Sequence, residues 1–266
     1  MTFPIIPANI LDALKLADPS WRPILLQGLE AVAASAPGYL PALAVDHYLP
    51  TEQRMFAAFA LPLDAVNYVL VGEGPYPRAE SATGVCFMDG AVGKLWSDSG
   101  LSKPVNRATS LRNFMKMLLV ADGRLTLGDT SGAALAPVAA AARHDGSIQF
   151  LAELQENLTC HGFLLLNATL VFRSDVSPLQ DAKAWQPFLQ VVLEALAERA
   201  APTPTAPTPV APTLVLWGTV AEQLRRLPVT ERMPQLQSEH PYNLSFIGNE
   251  TMLKLFGPMR LLRAPQ

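Results

Sequence analysis

Short runs of apolar residues alternate along the chain with segments in which apolar residues recur at helical spacing. The runs predict buried strands at residues 67–72, 162–167 and 213–218, and a shorter strand at 234–239. Continuous apolar strands separated by helices are typical of a parallel sheet that is covered on both faces. We therefore expect an α/β fold, with residues 1–266 forming a single three-layer α/β/α domain around a central four-stranded, mainly parallel sheet.

The helical pattern begins near the N-terminus, where residues 8–36 predict two helices, at 10–16 and 21–34, the second with Ser20 as its N-cap. The same spacing predicts further helices, at residues 51–60, 110–121, 147–160 and 181–200. Residues 200–212 are rich in Pro, Thr and Ala, a composition that neither forms a helix nor pairs in a sheet. Because strand-like sequence resumes directly afterwards, we expect an inserted, solvated loop and not a domain boundary.

The composition favours a globular protein and gives no sign of a metal or cofactor site. Half of the residues are apolar and the net charge is -3, which is typical of a globular protein with a sizeable core. Since neither a signal peptide nor a long apolar run is evident, we expect a cytoplasmic monomer outside the membrane. Cys86 and Cys160 lack metal-ligand spacing, and the chain has neither a P-loop nor a complete GxGxxG, so no metal and no cofactor are expected.

Polar residues follow three of the predicted strands at the point where each ends. They are the segment 73–77 after the first strand, Asn167 after the second, and the segment 240–245 after the last. In open α/β sheets, ligands bind at the carboxyl ends of the strands. The sequence therefore predicts a functional site at this edge of the sheet.

The residues at this edge resemble those of the uracil-DNA glycosylases. Residues 72–77 read GEGPYP, close to the GQDPYH of family 1, and residues 84–87 read GVCF where that family has GLCF at the same distance. Further segments resemble the family in the family's order, beginning with residues 49–56. The family's motifs SLxN, LLLN, WEQF, LLWG and HPSPLS are resembled by residues 110–113, 164–167, 185–188, 216–218 and 240–245, respectively. The chain is identified as a divergent family-1-like member of the superfamily. Its GEGP segment also resembles the first motif of family 4.

The resemblance implies that DNA is the partner and that a nucleotide is flipped out of the stack into a pocket. Phe87 would then stack on the base, Asn167 would hydrogen-bond its Watson–Crick edge, and Tyr76 would guard its C5 side. His240 would donate to the base oxygen that becomes negatively charged. Leu244 would wedge into the duplex. Ser110, Asn243 and Ser245 would contact DNA, as would Lys103 and Arg107. Taken alone, Phe87 would be assigned to the core, and Asn167 could equally well cap the turn after its strand or have a function.

Three positions depart from family 1. Gly74 stands where the family has its water-activating aspartate, Glu73 replaces the neighbouring Gln, and Pro77 replaces the His after the tyrosine. A glycine can neither orient water nor stabilise a cationic sugar. Glu73 is therefore the first candidate for the catalytic carboxylate, with Asp89, in the insertion between Phe87 and Ser110, in reserve.

These departures leave three hypotheses. The first is a monofunctional glycosylase that excises a non-canonical pyrimidine, such as a modified cytosine in phage DNA, and so acts in antiviral defence. The second is a uracil-DNA glycosylase of base-excision repair that uses Glu73. The third is a protein that binds DNA or a flipped base without cutting.

Overall fold

The computed structural model describes residues 6–199 and 211–264 of the chain and has an α/β fold, as the sequence predicts. The helices in this part are α1 (Ala8–Ala13), α2 (Arg22–Ser35), α3 (Tyr39–Ala44), α4 (Lys103–Arg107), α5 (Thr109–Ala121), α6 (Gly132–Ala142), α7 (Leu151–Cys160), α8 (Pro178–Glu198), α9 (Thr219–Leu224) and α10 (Glu250–Phe256). The strands are β1 (Tyr68–Gly72), β2 (Trp96–Ser97), β3 (Gly100–Leu101), β4 (Phe163–Asn167), β5 (Thr213–Trp217) and β6 (Gln235–Ser238).

The main sheet has four strands in the order β4-β1-β5-β6 and is flanked by helices, which confirms the predicted sheet. Strands β1 and β4 are parallel neighbours, with Gly72 opposite Asn167 at their carboxyl ends. Every residue of β4 is buried. A strand that is buried on both faces is mostly apolar, and β4 has a polar residue only at its end, Asn167, so the apolar run in the sequence predicted its position.

The described chain divides into two compact units. The first comprises residues 1–89, 162–215 and 222–235, so far as they are described, and contains β1, β4 and α8. Helix α2 packs closely on α8 in this unit, because Gly28 has no Cβ; a Cβ there would lie 2.6 Å from the Phe188 ring. Around this contact Phe188 meets Phe56, Phe59 and Trp185, all fully buried. These aromatic rings form the core of the first unit.

The second unit comprises residues 90–161, 216–221 and 236–266, again so far as they are described. Its core is a cluster of four aromatic side chains. Phe114 of α5 lies 5.7 Å from Trp217 and 5.1 Å from Phe256, and Trp217 lies 5.4 Å from Phe246, measured between ring centroids. Helix α5 thereby presents a fixed, buried face to the chain that follows β6. The prediction of one domain for the whole chain stays a prediction.

Two local predictions were wrong. Ser20 is not the N-cap of α2; Asp18 caps a preceding 3-10 turn, where its side chain accepts from the backbone N–H and the hydroxyl of Ser20. The expected helix at 51–60 is a 3-10 segment, Arg54–Ala60, with non-helical backbone at Phe56 and Phe59. Burying both rings takes precedence there over regular helix geometry.

The predicted Pro-rich loop at 200–212 lies almost wholly outside the described residues. Only Ala211 and Pro212 of it are described, and both are buried. The insertion between Phe87 and Ser110 contains the β2-β3 hairpin and α4, which the sequence did not predict.

Candidate functional site

The carboxyl ends of β1 and β4 remain paired for two residues beyond the strands. The N–H of Ala168 donates to the carbonyl of Gly72 at 2.8 Å, and the N–H of Thr169 donates to that of Glu73 at 3.0 Å. Gly72 lies against the side chain of Asn167, since a Cβ on Gly72 would come within 3.0 Å of Asn167 Oδ1. The two loops therefore leave the sheet together.

Asn167 combines burial with unused hydrogen-bonding capacity. The residue is 4 % exposed, yet no residue in the described ranges 6–199 and 211–264 hydrogen-bonds its side-chain amide. Within these ranges the fully buried side-chain polar atoms that lack a partner belong to Asp122 and Trp185, so the Asn167 amide, though on a largely buried residue, still reaches solvent and can take a ligand. An amide offers both a donor and an acceptor, which is the pattern needed to read the edge of a nucleobase.

Phe87 has a backbone conformation that bulky residues rarely adopt. Its φ is 66°, in the left-handed region. The preceding residue anchors the turn twice: the N–H of Cys86 donates to the carbonyl of Leu165 at 3.1 Å, and its Sγ lies 3.3 Å from the carbonyl oxygen of Leu70. Thr83 closes the turn, its hydroxyl donating to the carbonyl of Met88 at 3.0 Å. Strain of this kind, held by surrounding bonds, is typical of functional positions.

The turn begins at Gly84, where both the backbone conformation and the available space require a glycine. Its φ is 84°, and a Cβ there would lie 2.0 Å from the carbonyl oxygen of Arg54. Arg54 belongs to the 49–56 segment whose likeness to the family was noted from sequence, and its guanidinium is tied to Thr51. The two segments that resemble the family are therefore in direct contact.

Tyr76 lies beside this turn, half-buried, with its hydroxyl donating to the carbonyl of Phe87 at 3.5 Å. Burial, followed by the negative charge of Asp89, raises the pKa of the Tyr76 hydroxyl, so the phenol stays neutral at physiological pH. Asp89 is 8 % exposed and forms a long ion pair, 3.7 Å, with Arg78. A buried carboxylate therefore lies on the same side as the tyrosine.

Glu73 and Gly74 are exposed, and both line an open cavity of about 730 Å³ in the first unit. Neither Tyr76, Phe87 nor Asn167 lines it. We therefore do not identify this cavity with the base pocket, although it is large. A Cβ on Gly74 would meet only Thr169, at ordinary van der Waals distances of 3.5 and 3.6 Å, so the position has room for a side chain.

In the second unit, His240 follows β6 and has a defined tautomer. The backbone N–H of Tyr242 donates to His240 Nδ1 at 3.1 Å. Nδ1 is thus an acceptor, and the proton of the neutral ring sits on Nε2, which makes His240 a donor through that atom. Gly218 allows this arrangement, because a Cβ there would lie 2.9 Å from the Cβ of His240.

The loop after His240 exposes the residues that the sequence assigned to DNA. Leu244 is 69 % exposed, and Asn243 and Ser245 are exposed beside it. Ser110 lies in the first turn of α5, whose N-terminus has no side-chain cap. Such an N-terminus offers free N–H groups to an anion.

Lys103 and Arg107, on α4, are also exposed. The part of the chain that is described contains no group of three His, Cys, Asp or Glu side chains placed to hold a metal. None of its helices is long and apolar enough to cross a membrane.

The structure thus groups the predicted residues as Tyr76, Phe87 and Asn167 in the first unit, with Glu73 and Gly74 facing a separate cavity, and His240 to Ser245 in the second. Sequence reasoning assigned no role to Asn113 or Gly218. Both belong to matched segments, 110–113 and 216–218, but only the contacts made across the chain reveal what they touch.

Comparison with known proteins gives a consistent result. No model of a protein family matches the chain. It is 28 % identical over 239 residues to a uracil-DNA glycosylase of a Nocardioides species, covering 90 % of this chain and 84 % of that one. A uracil-DNA glycosylase of Corynebacterium glutamicum is 27 % identical over 248 residues, covering 89 % and 84 %.

Solved structures extend the likeness. The crystal structure of wild-type UNG from Nitratifractor salsuginis superposes with a TM-score of 0.84 at 40 % identity, covering 96 % of this chain and 97 % of that one. The mimivirus uracil-DNA glycosylase, at 14 % identity and a TM-score of 0.52 over 88 % of this chain and 73 % of that one, shares the fold.

Proposed function

The chain belongs to the uracil-DNA glycosylase superfamily and is a DNA glycosylase, and from this premise we propose that it excises uracil from DNA. The observation that carries the proposal is the side-chain amide of Asn167, which has no hydrogen-bond partner within residues 6–199 and 211–264 and lies beside the strained turn of Phe87. The amide can donate to a pyrimidine O4 and accept from N3–H, which is the pattern of uracil. The Phe87 ring supplies a stacking surface.

The reaction requires the N-glycosidic bond to break with its electron pair on the base, after which water adds to the sugar carbon. Negative charge then develops on the base oxygens, and donors aimed at them stabilise the transition state. We assign this role to the Nε2–H of His240, on the motif match and on the tautomer fixed by the Tyr242 N–H.

The Asn167 assignment is tested with Asn167→Leu, which keeps the side-chain size and removes both hydrogen-bonding groups. We expect uracil excision, scored by alkaline cleavage of abasic sites, to fall on the order of 10- to 100-fold, the effect of 1–3 kcal/mol. Asn9→Leu, which removes an exposed amide on α1 bonded to the Ala44 carbonyl, is the control and should retain activity. Equal activity in both variants would remove Asn167 from the site.

The catalytic carboxylate is a separate assignment. Glu73 is nearest to the family position but is exposed toward the 730 Å³ cavity, whereas Asp89 is buried near Tyr76. We propose Glu73 first and Asp89 second. Glu73→Gln and Asp89→Asn, assayed in parallel under single turnover, decide between them, because the isosteric amide removes only the charge. The variant with the larger loss identifies the carboxylate, and two unchanged variants would exclude both.

A modified cytosine remains a second candidate because Gly74 lacks the side chain of the family aspartate, although the space beside Gly74 belongs to the cavity that we do not identify with the base pocket. Against it, the half-buried Tyr76 is held against the Phe87 carbonyl, on the side assigned to pyrimidine C5. Duplexes bearing uracil or phage-type hypermodified cytosine separate the two. Cleavage of the modified DNA alone would establish the antiviral hypothesis, and cleavage of uracil DNA alone would establish repair. The monomeric state and the cytoplasmic location stay predictions.

A further inference from the structure

Asn113 is a fully buried polar residue in a helix whose other buried side chains are apolar. Its Nδ2 lies 2.8 Å from the carbonyl oxygen of Pro241, 3.2 Å from that of Tyr242 and 3.4 Å from that of Asn243. One amide on α5 thus contacts three consecutive carbonyls of the loop between His240 and Leu244.

These carbonyls depend on Asn113 to different degrees. The Asn243 carbonyl also accepts from the N–H of Phe246. For the carbonyls of Pro241 and Tyr242, Asn113 is the only hydrogen-bond donor within the described residues 6–199 and 211–264. The contact with the Pro241 carbonyl is buried, and leaving that carbonyl without a donor is costly, so removing the amide would release this part of the loop from α5.

We propose that Asn113 is a positioning residue for DNA binding, which holds the 240–245 loop on α5 before DNA arrives so that Leu244 is presented in one conformation. This rests on the proposed function and on the role that the family resemblance implies for Leu244, which is to wedge into the duplex. Leu244 is 69 % exposed and has little packing of its own to fix it. A loop that is ordered in advance does not lose that conformational entropy on binding, and affinity rises accordingly.

The proposal predicts a loss that depends on the form of the DNA. A wedge matters where it fills a gap in the base stack of a duplex, and it matters little on a single strand. Asn113→Leu should therefore weaken binding to a duplex carrying a tetrahydrofuran abasic analogue by about tenfold, one hydrogen bond to a buried group. Binding to the matching single strand should change by less than about twofold. Asn113→Ser keeps one hydroxyl donor, so its affinity for the duplex should lie between those of Asn113→Leu and wild type.

A purely structural role gives a different result. If Asn113 only stabilises the fold, duplex and single-strand binding fall together, and the losses from Asn113→Leu and Leu244→Ala add in the double variant. If Asn113 acts through Leu244, the double variant is hardly worse than either single one. Equal losses on both forms of DNA, or full additivity, would overturn the proposal.

Hydrogen exchange without DNA keeps this test independent of the proposed function. Asn113→Leu should speed exchange of the amides of residues 242–245 while the core amides of α5 stay protected. Faster exchange there in a protein that excises no base would refute the proposed function and leave the positioning of the loop standing. Unchanged exchange, even in an active enzyme, would refute the positioning.

Discussion

At the scale of single residues, the site is organised by contacts that leave no room for a side chain. Gly84 is the plainest example. The carbonyl oxygen of Arg54 leaves no room for a Cβ there, and the φ of 84° lies in the left-handed region that favours glycine. The turn that starts there ends at Phe87, whose own left-handed backbone depends on the anchors at Cys86. A change at Gly84 therefore reaches the aromatic ring three residues away.

We expect Gly84→Ala to be strongly destabilising. Left-handed backbone costs an alanine about 1–2 kcal/mol, and a Cβ 2.0 Å from a carbonyl oxygen forces the backbone to move as well. Urea unfolding should show a loss of more than about 2 kcal/mol. Gly38→Ala is the matched control, because nothing lies within 4 Å of its Cβ position and its φ is -87°; its stability should stay within about 1 kcal/mol of wild type. Similar losses in the two variants would contradict this account of the turn.

Gly74 leads to the opposite prediction. Its Cβ position has only ordinary contacts with Thr169, so Gly74→Asp should fold normally and place a carboxylate where the family carries one. A charge that stabilises the cationic sugar should raise single-turnover uracil excision about tenfold or more, since 1.4 kcal/mol is worth tenfold. Gly74→Asn has the same size without the charge and should give no gain. A gain in both variants, or in neither, would show that the missing aspartate does not limit the rate.

The candidate residues could be predicted from sequence only where a motif carried them. Phe87 and Asn167 were found because the GVCF and LLLN segments match a family, and their burial alone would have assigned them to the core or to a turn. Asn113 could not be assigned a role in this way. Its partners lie 128 to 130 residues further along the chain, and no local pattern encodes such a pairing.

At the scale of elements, the strands of the main sheet were predicted well, and the β2-β3 hairpin and the short helices poorly. β4 is buried at every position, so its apolar run has no other good interpretation. α4 has five residues and α6 has a proline inside it, and neither gives a clear helical period. The 3-10 segment Arg54–Ala60 has apolar residues at helical spacing, but its two buried phenylalanines have non-helical φ and ψ angles.

The junction between β6 and α10 is held by a carboxylate. Glu239 Oε2 accepts from Asn249 Nδ2 at 2.8 Å, while Asn249 Oδ1 caps α10 by accepting from the N–H of Met252. Burial raises the pKa of Glu239, but hydrogen bonds from Ser245 and Asn249 outweigh it and hold the pKa below its ordinary value. A carboxyl with a lowered folded-state pKa stabilises the protein above the unfolded pKa of about 4.3, and this contribution is lost as the pH falls through the folded value.

We therefore expect Glu239→Gln to reduce stability at pH 7 by about 1 kcal/mol or less, since the group is partly exposed. The difference from wild type should shrink as the pH falls below about 4. Urea unfolding of both proteins at pH 7, 5 and 3.5 measures it. A difference that is the same at every pH would mean that the glutamate charge plays no part in holding this junction.

At the scale of the whole molecule, the acidic balance of the chain constrains how it can bind DNA. It has 20 Lys and Arg against 23 Asp and Glu. Several residues assigned to phosphates are neutral donors, Ser110 and Ser245 among them, and the half-buried N-terminus of α5 adds backbone N–H groups. Neutral donors of this kind bind phosphates without neutralising their charge. They therefore do not release the counterions that surround DNA, as Lys and Arg do.

The affinity for DNA should accordingly depend only weakly on salt. If Lys103 and Arg107 are the cations that neutralise phosphates, the slope of log K against log[salt] is about -2, since each contributes about -0.9. Titrating the abasic-analogue duplex between about 50 and 200 mM KCl measures the slope. Lys103→Met and Arg107→Met should each reduce the slope by about one. Lys15→Met, at an exposed position in the 3-10 turn after α1, is the control that leaves it unchanged. A slope steeper than about -5 would mean that a much larger basic surface takes part, and the neutral phosphate contacts would then be the minor ones.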